Sequence, residues 1–274
     1  MIIKAIIQSK SLGFRKLKNL WDYMKLINEI KRGIAKDEFI LYYQPQFNIN
    51  TRNITGVEAL VRWKHPKRGF IPASLFIFAV EKSNQIFKLE KIILTNALNE
   101  MQNWEKEGIK LELAINISGK TIGSHKHFNE VEKIISSYSV KHERLTLELT
   151  ETSLLYDVNQ VGNRIKQLKK SLGIKIALDD FGTGYSSLTH LKNFPIDQIK
   201  IDKSFISALD ENDKDVYIIK NLISLAHDIQ CEVVAEGIEN NFQLNLLKEF
   251  SCDKGQGYLV CKPMSFNRIK ELIH

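Results

Sequence analysis

Gly173-Ile174-Lys175-Ile176-Ala177-Leu178-Asp179-Asp180 is a short apolar run opened by glycine and closed by two acids. Upstream, Val158–Leu172 is patterned as an amphipathic helix. Gly173 sits where that helix must stop, a place that favours the left-handed conformation. Helix, glycine, buried strand and a polar strand end form one repeatable unit. Reading outward, further strands are predicted at Phe39–Gln44, Ile54–Trp63, Leu111–Ile117, Leu145–Leu149, Gln198–Ile201, Glu232–Ala235 and Gly257–Val260. Helical patterns at Leu89–Glu107, Val216–His227 and Phe242–Phe250 separate many of them, and Gly33 and Gly108 mark further helix ends. Eight strands alternating with helices predict an α/β (β/α)8 barrel of the TIM type. One connection breaks the pattern: only Asn48–Asn53 join the first two strands. A parallel crossover needs at least about 10–12 residues, so these two are expected to form an antiparallel hairpin.

The composition suits a globular domain. Of 274 residues, 43% are apolar, enough for a sizeable core. Cys231, Cys252 and Cys261 are odd in number and lack CxxC spacing, which argues against a disulfide framework or a cysteine zinc site. No apolar run approaches the ~20 residues that span a bilayer. These features make a cytoplasmic location the expectation. The net charge is +7, but Lys4, Lys10, Arg15, Lys16 and Lys18 supply five of those charges within a stretch that has no acid. The rest of the chain is too nearly neutral for a nucleic-acid polymer to be the expected partner.

Polar residues recur at the strand ends: Gln44, Glu58, Asn116, Glu148, Asp179 with Asp180, Lys200 with Asp202, Glu236, and Gln256 just ahead of the last strand. In such a barrel the C-terminal strand ends form the active face. Alternation along a strand puts Glu58, Leu60 and Arg62 on one side. Six carboxylates at one mouth raise one another's pKa and demand protons or cations. Hard oxygen ligands, with the Asn116 amide among them, suit Mg²⁺ or Mn²⁺. Adjacent Asp179 and Asp180 could bridge two ions, the usual device for displacement at phosphorus. Arg62 and Lys200 add positive charge for a phosphate. A glycosidase is the rival enzyme class, but it needs only two spaced carboxylates.

Glu58-Ala59-Leu60-Val61-Arg62-Trp63, preceded by Tyr43-Gln44-Pro45, resembles the signature of the EAL family. Asn116-Ile117-Ser118, Glu148-Leu149-Thr150-Glu151, Asp179-Asp180-Phe181-Gly182, Lys200-Ile201-Asp202, Ala235-Glu236-Gly237 and Gln256-Gly257-Tyr258-Leu259 follow in the family's order. The resemblance covers about residues 22–274 and leaves 1–21 as a basic leader. It implies a phosphodiesterase that opens c-di-GMP to linear pGpG. Glu58, Asn116, Glu148 and Asp179 would bind a first metal; Asp179 and Asp180 would bind a second, with Asp202 nearby. Lys200 would position the attacking water and Glu236 would act as the general base. Gln44, Leu60 and Arg62 would touch the dinucleotide, and Gln256 would support the site. Glu151 would hold the Asp180–Ser187 loop, which in the family couples the site to dimerisation, so a homodimer is expected. The departures are Phe78 after Phe76-Ile77 and Lys262 before Pro263. The alternative is a catalytically silent EAL module that senses c-di-GMP or binds a protein.

Ahead of the first strand, Leu17, Leu20, Trp21, Met24, Ile27 and Ile30 have helical spacing. The plain expectation is a helix that closes the bottom of the barrel and stops at Gly33. Residues 1–20 also combine Ile2, Ile3, Ile6 and Ile7 with the five cations; the plain expectation is a leader that frays in solvent or packs on the barrel, and the alternative is weak peripheral contact with an anionic membrane face.

Overall fold

The computed structural model describes residues 20–151, 158–182, 194–209 and 213–273. After helix α1 (Leu20–Ala35) come strands β1 (Phe39–Asn48), β2 (Ile54–His65) and the short β3 (Gly69–Ile71). Helices α2 (Ile77–Glu81) and α3 (Ile86–Lys106) lead to β4 (Glu112–Asn116), α4 (Gly119–Gly123) and α5 (His125–Ser136). Then follow β5 (Leu145–Thr150), α6 (Val158–Leu172), β6 (Lys175–Phe181), β7 (Gln198–Ile201), α7 (Lys203–Ala208) and α8 (Asp213–Asp228). The described chain ends with β8 (Glu232–Glu236), α9 (Asn241–Glu249), β9 (Lys254–Gln256) and α10 (Phe266–Ile273).

The strands are ordered β1-β9-β8-β7-β6-β5-β4-β2-β3, and an additional β1–β2 pairing closes eight of them into a barrel. The β1–β2 pair is antiparallel, as the short link between them requires, and β1 is also antiparallel to β9. From β2 through β4 to β9 the neighbours run parallel. Val57, Leu113, Leu147, Ile176 and Val233 are fully buried between this wall and its surroundings. Continuous burial on both sides is why these strands read as apolar runs rather than as alternating ones.

Three expectations need correction. The last strand is Lys254–Gln256, and Gly257–Val260 lies in a turn. The apolar look of Tyr258 and Val260 misled: both are exposed, while Lys254 and Gln256 are buried. A side chain on Gly257 would come within 2.1 Å of the Ile238 carbonyl oxygen, so the chain turns there against backbone. Next, Gly33 does not stop α1, which runs on to Ala35. It serves close approach instead, since an added Cβ would stand 2.9 Å from the Trp63 indole nitrogen. Finally, α1 does not cover the bottom of the barrel. Arg32 meets His65 at 3.0 Å and Glu29 meets Arg68 at 2.9 Å. Those partners lie beyond Glu58 toward the C-terminal end of β2, so α1 flanks the active-face side.

Candidate active site

The strand-end argument holds for most of the site and fails at two places. Gln44 and Glu58 lie inside β1 and β2, opposite each other in the antiparallel register, rather than at strand ends. They reach the active face because these two strands extend past their neighbours. Glu148 is third from the end of β5, and Asn116, Glu236 and Gln256 end β4, β8 and β9.

Lys200 is the centre of the arrangement. Its Nζ lies 2.7 Å from Glu236 Oε1, 2.8 Å from Glu148 Oε2, 3.2 Å from Asp179 Oδ1 and 3.4 Å from Glu58 Oε2. The side chain is fully buried. Burial works to lower its pKa, but Glu148, Glu236, Glu58 and Asp179 outweigh that and hold it well above the ordinary lysine range. One ammonium cannot neutralise four carboxylates, so the acids part company. Burial and Glu58 push Glu148 well up. Burial, with Asp179 and Glu58 adding repulsion, takes Glu236 to about 8 despite Lys200. Burial also opposes the charge of Glu58, yet Lys200 and the amides of Gln256 and Asn116 overcome it and keep its pKa low.

Asp179 and Asp180 owe their joint orientation to a β-bulge. Leu178 pairs with Ile199 and Phe181 with Ile201, so the two aspartates together stand opposite Lys200. Asp180 takes a φ of 56°. Neighbours in a regular strand point to opposite faces; the bulge re-aims them toward one. Burial, then Asp179 and Asp202, raise Asp180 to about 6. Asp202 caps α7, its Oδ1 accepting from Ser204 N at 2.9 Å.

An amide relay braces the other side. Gln256 Nε2 donates to Glu58 Oε2 at 2.6 Å and to Gln44 Oε1 at 3.1 Å, and Gln46 donates to Gln256 Oε1 at 3.1 Å. Sequence reading passed over Gln46, although period-two alternation from Gln44 in β1 points straight at it. Asn116 Nδ2 donates to Glu58 Oε1 at 2.7 Å. That bond uses only the amide nitrogen and leaves the carbonyl oxygen available to a cation. Arg62 is half-buried, donates to the Val61 carbonyl at 2.9 Å and lies 5.9 Å from the Tyr42 ring centroid. Leu60 lines a cavity of about 310 Å³ that also reaches Glu58, Asn116 and Asp180. A second cavity of about 210 Å³ opens beside Gln44, Glu236 and Tyr258. Glu151 is buried and its Oε2 has no hydrogen-bond partner among the described residues. The loop it was expected to hold lies outside those residues from 183 onward.

The donor set fits divalent cations. Carboxylate oxygens of Asp179, Asp180 and Glu236 lie within 4.8 Å of one another. Glu148 Oε1 is buried without a hydrogen-bond partner among the described residues. A buried carboxyl oxygen left unpartnered is costly; a proton or a cation satisfies it, and a bound cation would favour the ionised form.

Fold and site together define a (β/α)-barrel protein with a polycarboxylate centre built around one buried lysine. The EAL domain family matches residues 27–263, and the chain belongs to that family. It is 37% identical over 240 residues to cyclic di-GMP phosphodiesterase PA2567 of Pseudomonas aeruginosa, covering 87% of this chain and 41% of that protein. It is 32% identical to cyclic di-GMP phosphodiesterase NbdA of the same organism, covering 91% of this chain and 32% of NbdA. The chain thus spans about a third to two fifths of the length of these relatives. Among solved structures, the PaMucR phosphodiesterase in complex with c-di-GMP superposes with a TM-score of 0.84 at 30% identity, over 89% of this chain and 99% of that one. An EAL domain protein of Listeria monocytogenes gives 0.80 at 30% identity, over 90% and 96%.

Proposed function

We propose that this chain is a divalent-metal phosphodiesterase that hydrolyses cyclic di-GMP to linear pGpG. The convergence of Glu58, Glu148, Asp179 and Glu236 on Lys200, with Asp180 re-aimed beside them, carries this reading. The phosphodiesterase relatives and the c-di-GMP-bound structural neighbour support the substrate.

Glu58, Asn116, Glu148, Asp179 and Asp180 would hold Mg²⁺ or Mn²⁺. When bound, such ions neutralise the phosphoryl oxygens and acidify water. Water oxygen attacks phosphorus, the bond to the sugar oxygen breaks, that oxygen takes a proton from solvent, and the ring opens to pGpG. Glu236 accepts the proton from that water, and Lys200 orients the water while its charge keeps Glu236 ionisable. Arg62 binds the phosphate edge, while Gln44 and Leu60 contact the dinucleotide on the two sides of the acids. Incubation with c-di-GMP and Mg²⁺ or Mn²⁺, followed by separation of nucleotides, should show pGpG. Recovery of c-di-GMP unchanged would favour the silent-module reading.

The active form is a homodimer in this reading, tested by size measurement at assay concentration; full activity of a monomer opposes it. No described helix is long and apolar enough to cross a membrane. Residues 1–20, which lie almost wholly outside the described residues, supply peripheral contact with anionic lipid. Their removal should abolish low-salt sedimentation with anionic vesicles and leave hydrolysis intact.

A further inference from the structure

Glu90 is a buried carboxylate in the wall of the 310 Å³ cavity, and none of the roles above uses it. It occupies the apolar face of α3 with Ile86, Leu89 and Ile93. No cation pairs with it among the described residues. Its Oε1 accepts from Ser118 N at 2.6 Å, and its Oε2 accepts from the Thr121 hydroxyl. Burial raises it to about 7 despite those bonds. A carboxylate kept at that cost has a task its apolar neighbours could not perform.

The task follows from what Ser118 adjoins. Asn116 ends β4 and is exposed, so packing does not fix its side chain. Its backbone is paired with Glu148 in the β4–β5 ladder, and the next two amides fix how the chain leaves that strand. Ile117 N donates to the Glu148 carbonyl at 2.9 Å, and Ser118 N donates to Glu90. Ser118 then caps α4 by accepting from Thr121 N at 3.3 Å, and Thr121 is itself held by Glu90.

We infer that Glu90 is a positioning residue: through Ser118 and Thr121 it fixes the turn after β4 and so holds the Asn116 amide at the acid cluster. This rests on the reading of that cluster as a metal-binding catalytic centre. Glu90→Leu keeps an apolar shape and good helix propensity but offers no acceptor. Glu90→Gln keeps an oxygen for Ser118 N and can donate to the Thr121 oxygen, so it is the rescuing variant. The probe is Mn²⁺ alone, titrated calorimetrically, beside kcat and KM for c-di-GMP and amide exchange at Ser118 in metal-free protein.

Glu90→Leu should weaken Mn²⁺ binding about tenfold, the range seen when a residue supporting a metal ligand is lost. It should lower kcat with KM within twofold, and speed Ser118 exchange. Glu90→Gln should restore all three. In an Asn116→Ala background Glu90→Leu should add little, because the two act as a unit. A lowered Tm with unchanged Mn²⁺ affinity, or full additivity with Asn116→Ala, would overturn the inference. If wild type neither binds Mn²⁺ nor hydrolyses c-di-GMP, the functional reading fails; Ser118 exchange still decides this one, and unchanged exchange in Glu90→Leu rejects it.

Discussion

Lys200 Nζ lies 2.7 Å from Glu236 Oε1, and both groups are enclosed by three further acids. The lysine is therefore the counter-ion of the whole cluster. Lys200→Met should cost about 3–5 kcal/mol of stability in metal-free protein, as breaking a buried ion pair does. Part of that loss should be recovered by Mn²⁺, so the metal-induced rise in Tm should exceed that of wild type. Hydrolysis should fall by at least about a hundredfold even with metal, because no group then orients the water. Melting curves with and without Mn²⁺ check the first two points. Equal stability of variant and wild type in chelator would refute this account of the cluster.

Glu58 is held in its ionised form by Lys200 and two amides, against the opposing effect of burial. Glu58→Ala should reduce turnover by at least about a hundredfold rather than simply raise KM, since it removes a ligand and unsettles Asn116 and Gln256 together. A chelator should stop wild type. Ca²⁺ should replace Mg²⁺ poorly, because it takes longer bonds and looser geometry. Steady-state kinetics across metals checks this, and activity of Glu58→Ala in excess chelator would contradict it.

Acids held above their ordinary range, Glu148 among them, make stability depend on pH. Asp180 moves from 3.8 to about 6, Glu90 from 4.5 to about 7 and Glu236 from 4.5 to about 8. Each binds its proton more tightly when folded, so its contribution is present at low pH and is lost as pH rises through the folded value. Metal-free protein should therefore lose Tm between about pH 5 and 8. Added Mn²⁺ should raise Tm more at pH 8 than at pH 5.5, where protons compete for the same oxygens. A metal-free Tm that climbs across this window would show that the acids are not strained together.

Much of this was legible in residue order, and for a physical reason. Strands buried on both sides show as apolar runs, and polar residues at or near their ends stand out against that background at Asn116, Glu148 and Glu236. What stayed hidden depended on pairing across distance. The β9 strand is three residues long with a glycine between two buried polar side chains, so it has no hydrophobic pattern to find. The helix-ending roles of Gly108 and Gly173 were visible and hold, with φ of 77° and 70°. Gly33 looked identical in sequence and differs because Trp63 lies against it. Glu90 carried a signal, a charge on an apolar helix face, but its partner Ser118 is 28 residues away.

The bulge at Asp179-Asp180 was also invisible, since nothing in an acidic pair says that both side chains face one way. Asp180 combines two properties that substitution can separate. Its φ of 56° is left-handed, a region asparagine tolerates and valine does not. Its charge is disfavoured by burial, Asp179 and Asp202. Asp180→Asn should leave Tm of the metal-free protein at or above wild type, since it keeps the backbone and removes repulsion. Asp180→Val should lower Tm by a cost of about 1–3 kcal/mol for a branched residue held at positive φ. Both should lose hydrolysis by at least about a hundredfold, because neither offers a second carboxylate to the ions. Melting and activity measured on the pair distinguish backbone from charge. Equal Tm values would show that the bulge is not strained, and an active Asp180→Asn would remove Asp180 from the metal site.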